Sequence, residues 1–166
     1  GASADAKGKL YGEDGLPAVA AAAEAGHTEV VEALLRLGCD PNAPSSDGLT
    51  ALIMAAAYGH GGVVGALLEH GGAELDAVDR HGETALVQAA WHGRAAIAAQ
   101  LVEAGADATL RATGGKWEGK TALEIAEARG HAEVAALLRQ RAEEPVPEAE
   151  PEPEPEPKPE PEPRQA

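Results

Sequence analysis

Phenylalanine is missing from this chain, and two Trp and two Tyr are its only aromatic residues. Any core must be packed from small aliphatic side chains, which suits helices lying close together and argues against a sheet sandwich. One cysteine, Cys39, excludes an internal disulfide framework and a zinc ribbon, and fits a reducing compartment. Cations are scarce: 13 Lys plus Arg against 28 Asp plus Glu give a net charge of −15 over 166 residues. That balance argues against a nucleic-acid grip on phosphates. No apolar run approaches the roughly 18 residues of a membrane span, so membrane insertion is not expected. The length suits one domain with an appendage. The expected location is cytoplasmic; the chain begins at Gly1 rather than Met, so an organellar location after removal of a targeting segment is the alternative.

The acidic excess is concentrated at one end. Residues 143–166 hold nine Glu against Lys158 and Arg164, a net of −7, which leaves −8 for residues 1–142. Nine of the twelve prolines lie there too, and from Glu150 to Pro163 Glu and Pro alternate with only Lys158 departing. Such a stretch has nothing apolar to bury and few backbone donors, so a disordered, polyproline-II-like arm is expected. From Pro145 to Pro163 it could reach on the order of 60 Å. It reads as a solubilising spacer or as an acidic docking segment.

Elsewhere the chain repeats itself. Gly-His occurs at 26–27, 59–60 and 130–131, with Gly93-Arg94 in the remaining slot. Gly15, Gly48, Gly82 and Gly119 stand 11 residues before those glycines, and the last three open Gly-x-Thr-Ala-Leu. Leu34-Leu35, Leu67-Leu68 and Leu101-Val102 each precede a unit-ending Gly. A period in the thirties marks a stacked solenoid. Thr50, Thr84 and Thr121 stand where helix N-caps belong, and the recurring Gly is a left-handed helix stop. A second helix follows in each unit, with one apolar face through Val30, Val31, Leu34 and Leu35, or Val63, Val64, Leu67 and Leu68. Asn42, Asp76 and Thr109 supply turn chemistry.

On these motifs the chain resembles the ankyrin-repeat family over roughly residues 12–142. The resemblance implies an all-α ankyrin-repeat solenoid, each unit a β-turn finger and two antiparallel helices. The expected organisation is an N-terminal extension, 1–11; repeats at about 12–44, 45–78, 79–111 and 112–142; and a disordered acidic Pro/Glu tail, 143–166. It also implies that His27, His60 and His131 bridge adjacent loops. The family's Thr-Pro-Leu-His is altered, with Ile53, Val87 and Glu124 in the His slot, so the hydrogen bonds credited to that histidine are expected to be absent. Pro17 replaces the first Thr, as suits an end unit, and Arg139-Gln-Arg141 reads as a polar C-terminal cap. Extra residues at Gly71-Gly72 and Thr113–Glu118 fall in fingers or their entries, where they change the presented surface and spare the stack. Gly61, Gly62 and Gly65 should make their helix the least protected of the interior ones.

Several strings imitate chemistry. Gly114 to Thr121 fits the Gly-x4-Gly-Lys-Thr phosphate loop, but no buried parallel strand precedes it and the repeat already demands Gly119 and Thr121. Gly59-His-Gly61-Gly-Val-Val-Gly65 imitates a dinucleotide loop, yet lies between helices. No His pair has i, i+4 ligand spacing, and Cys39 reads as packed rather than reactive. Neither catalysis, a cofactor nor a metal is expected.

What remains is the variable surface. Family register puts finger tips and the exposed ends of first helices on a concave binding face: Asp47, Leu49 and Tyr58; Arg80, His81, Glu83, Trp91 and His92; Lys116, Trp117, Lys120 and Arg129. Ser46, Ala57, Glu118 and Ala128 share that register. Aromatics and Arg are enriched in interface hot spots. The expected function is non-catalytic binding of a protein partner by a monomeric module; the alternative is a structural or regulatory subunit of a larger assembly.

Overall fold

The computed structural model describes residues 3–4, 10–11, 16–70 and 72–143. The expected tail lies outside these residues except for Glu143. Of the extension only the antiparallel pair Ser3–Ala4 and Leu10–Tyr11 is described.

Among the described residues eight α-helices make the fold all-α: α1 Ala18–Glu24, α2 Thr28–Arg36, α3 Ala51–Tyr58, α4 Gly61–Glu69, α5 Ala85–His92, α6 Ala95–Glu103, α7 Ala122–Arg129 and α8 Ala132–Glu143. Sequence chemistry sets their ends. The hydroxyls of Thr50, Thr84 and Thr121 accept from the backbone N–H of Ile53, Val87 and Glu124. Pro17 precedes α1 without a side-chain cap. Gly59, Gly93 and Gly130 end α3, α5 and α7 at φ of +86°, +68° and +75°. Glu124 departs from expectation. Its carboxylate accepts from the Thr121 N–H at 2.8 Å and completes a capping box, so the fourth unit recovers a hydrogen bond where the family's histidine is missing.

The helices form two rows. In the inner row α1 packs on α3, α3 on α5 and α5 on α7; in the outer row α2, α4, α6 and α8 follow in the same order. Between them lies one core that includes Leu52, Ile53, Leu67, Leu86, Leu101, Ile125 and Leu138. Small residues allow this closeness: Ala55, Ala56, Ala89 and Ala90 have no exposed surface. Cys39 is buried and free. The outer face is not uniformly covered. Val63 is fully buried, whereas its counterpart Val30 is 48 % exposed: α4 lies between α2 and α6, while among the described residues α2 has an outer-row neighbour on one side only.

Side chains also latch each unit to its neighbour. The His60 ring packs over Gly26 and its Nε2–H donates to the Glu24 carbonyl at 2.9 Å; His131 packs over Gly93 and donates to the Trp91 carbonyl at 2.9 Å. A carbonyl can only accept, so Nε2 carries the proton in both rings. Arg94 occupies the same place over Gly59. His27 makes no such bond among the described residues. On the opposite side Asn42 is more than a turn residue: its Nδ2 donates to the Gly72 carbonyl and its Oδ1 accepts from the Glu74 N–H.

Candidate functional site

The inner row and its fingers enclose a groove of about 610 Å³. Its wall and floor come from Leu49 at a finger base, Ile53, Met54 and Tyr58 on α3, and Gln88 and His92 on α5. The spacing is helical, for Met54 and Tyr58, like Gln88 and His92, are four apart and share a helix face. Tyr58 is 53 % exposed although the floor beneath it, Ile53, is almost completely buried. Folding thus buries α3 from Ala51 to Ala56 and leaves its C-terminal end, at Tyr58, open.

Charge is arranged along this groove. Glu24 lines its first-unit end, and its carboxylate, facing the Tyr58 phenol, holds that phenol's pKa above the usual value. Arg94 lines the other end. Beside it, burial lowers the pKa of His92, with Arg94, Arg129 and His131 adding repulsion, so the His92 ring is neutral at neutral pH.

Beyond His92 the aromatic surface continues. The Trp91 ring stacks on His92 at 5.6 Å between centroids and meets the edge of Trp117 at 6.1 Å. Lys116 Nζ lies 5.2 Å from the Trp117 ring centroid. The extra residues of the fourth finger cause this contact: Gly115–Trp117 forms a single 3-10 turn that carries Trp117 to the end of α5. Both Trp rings are partly buried against the core.

The finger residues are more engaged than the sequence suggests. Arg80 pairs with Asp47 at 2.8 Å and its Nε–H donates to His81 Nε2. The His81 carbonyl accepts from the Thr113 and Gly114 N–H groups, tying the third finger to the fourth. Lys120 lies 3.7 Å from Glu124, and Arg129 is exposed at the end of α7. Lys120 and Thr121, the supposed end of a phosphate loop, thus serve an ion pair and a helix cap.

Glu83 requires correction as a displayed contact. It is only 4 % exposed, and Gln88 Nε2 donates to its Oε2 at 2.7 Å. Neighbouring Gly82 touches Thr113 of the longer fourth finger, which covers this stretch; Leu49, its counterpart one unit earlier, stays half-buried. Burial raises the Glu83 pKa, and Asp79 adds to the rise. Conversely, Met54, Gln88 and Arg94 line the groove without having been singled out. The signal was present: the first two lie one turn before Tyr58 and His92, and Arg94 fills a Gly-His slot.

Two helices per unit recur four times, and in the last three units a Thr caps and a Gly stops the first helix. A family model described as ankyrin repeats (3 copies) matches residues 18–112. The chain belongs to the ankyrin-repeat family. No curated protein matches it. Ankyrin repeats are generally protein–protein interaction modules and typically non-catalytic. No described helix is long and apolar enough to cross a membrane.

Proposed function

We propose that this chain is a non-catalytic module that holds a protein partner on the concave, inner face of its ankyrin stack. One observation carries the reading. The groove over α3 and α5 presents Tyr58 and His92 beside the Trp91–Trp117 pair, while the side chains beneath, Ile53 and Met54 among them, are already buried. Aromatic side chains left at the surface above a complete core are the material of interface hot spots. The partner contacts assigned to this face are Leu49, Tyr58, Trp91, His92, Lys116, Trp117 and Arg129, with Asp47, Arg80, His81 and Lys120 at its finger rim.

Affinity capture with the wild-type chain beside Trp91→Ala tests this. The captured protein, once purified, should bind the variant about 2 kcal/mol more weakly, or thirtyfold. Helical signal and melting of the variant should stay near wild type. A variant that melts early yet binds normally would show Trp91 to be packing alone.

A further inference from the structure

Among the described residues other than Arg141, the Lys and Arg side chains fall into two groups. Arg36, Arg80, Arg111, Lys120 and Arg139 each stand within ion-pair distance of a carboxylate. Arg94, Lys116 and Arg129 are exposed and, among the described residues, have no such partner. These three are not scattered. Arg94 and Arg129 both lie close enough to His92 to repel its charged form, and His92, Trp91, Trp117 and Lys116 are joined by successive ring contacts. The result is a strip of unpaired cations and indoles at the α5–α7 end of the inner face. The carboxylate lining the adjoining groove, Glu24, stands at the far end, beside Tyr58.

An occupant for such a strip needs carboxylates for the guanidinium and ammonium groups and flat apolar rings for the indoles. The chain carries that composition: between Glu150 and Pro163 six Glu alternate with seven Pro. Pro-rich segments dock on aromatic-lined surfaces because little order has to be imposed on them. Reach is ample. Helix α8 has 12 residues and ends about 18 Å from the loop joining it to α7. The 20 residues from Glu144 to Pro163 span about 60 Å when extended. Charge points the same way, since residues 112–142 carry five Lys plus Arg against four Glu, whereas the arm is strongly acidic.

We propose that the Glu-Pro arm, residues 150–163, docks in cis onto the Arg94–Arg129–Lys116 strip and its two indoles, and that partners must displace it. The regulatory part rests on the concave-face reading above; the docking itself does not. A tethered arm acts at an effective concentration on the order of millimolar, so a modest intrinsic affinity keeps the strip covered. Raising salt or neutralising the arm uncovers it.

The first comparison is between the full chain and the full chain with Glu150, Glu152, Glu154, Glu156, Glu160 and Glu162 changed to Gln. The readout is the pair of indole N–H resonances, which belong to Trp91 and Trp117 alone. Both should shift on neutralising the arm, and about 0.5 M NaCl should move the wild-type signals toward the same positions. An Arg94→Gln, Arg129→Gln chain should lose the arm-dependent shift while keeping its helical signal. A labelled peptide of residues 150–163 should bind the neutralised chain about tenfold more tightly than wild type. Indole signals indifferent to the arm, a shift that survives loss of both arginines, or equal peptide binding overturns cis docking. Trp91-dependent partner capture would then still stand. Arm-dependent shifts combined with partner binding indifferent to Trp91 would instead keep the docking and remove the interface reading.

Discussion

Glu83 shows what one buried carboxylate does to a finger. Its folded-state pKa lies above the ordinary Glu value because burial penalises the charge and Asp79 adds repulsion. An acid shifted this way binds a proton in the folded chain more readily than in the unfolded one. The ionised form therefore costs stability above the folded pKa, and that cost fades as pH falls through it toward the ordinary range. Glu83→Gln keeps an acceptor for Gln88 and removes the charge. It should melt higher than wild type at neutral pH, with the gap closing near about pH 4; a gap independent of pH would contradict this. Glycine at the helix stops permits a matched pair. Gly93 and Gly130 both have positive φ, so Ala at either meets the left-handed penalty of about 1 kcal/mol. A Cβ on Gly93 would also lie 2.6 Å from His131 Nδ1, whereas nothing approaches Gly130 within 4 Å. Gly93→Ala should therefore cost at least about 1 kcal/mol more than Gly130→Ala in urea unfolding. Equal costs would mean that the His131 ring moves aside freely.

Helix α4 is where local preference and packing disagree. It contains Gly61, Gly62 and Gly65, yet its apolar residues Val63, Val64 and Leu67 are buried between α2 and α6. Gln100 of α6 faces the bare positions, and a Cβ on Gly65 would meet its Nε2 at 3.8 Å, an ordinary contact. Gly65→Ala should stabilise the protein by about 0.5–1 kcal/mol, read from the urea midpoint. Hydrogen exchange should show α4 as the fastest-exchanging helix among α3–α6 in the wild type and slowed in the variant. At this scale the sequence was informative wherever the signal was local: a Thr hydroxyl, a Gly stop and an apolar period each depend on residues within one turn. The exposure of Val30 and the capping role of Glu124 depend on whether a neighbouring unit or finger is present, which motif spacing does not report. The same holds at the surface. The exposure of Tyr58 and His92 followed from register because α3 and α5 have equivalent C-terminal ends; the burial of Glu83 did not, because the longer fourth finger covers its position in the third unit alone.

Across the whole molecule contacts run from each unit to its neighbours, so stability accumulates along the stack rather than around one centre. Leu138 is 1 % exposed and belongs to the last hairpin. Leu138→Ala should remove roughly 2–5 kcal/mol from that end. Amide exchange should then rise in α7 and α8 while α3–α6 keep their protection. Uniform loss of protection in every helix would show a single cooperative globule. The latches over Gly26, Gly59 and Gly93 all run in one direction, from a later side chain to an earlier glycine. Each segment thus brings its own plug and leaves a socket behind it. A duplication or loss of one such segment would keep plugs and sockets matched, so descendants of this gene could lengthen or shorten the grip one notch at a time without redrawing any joint.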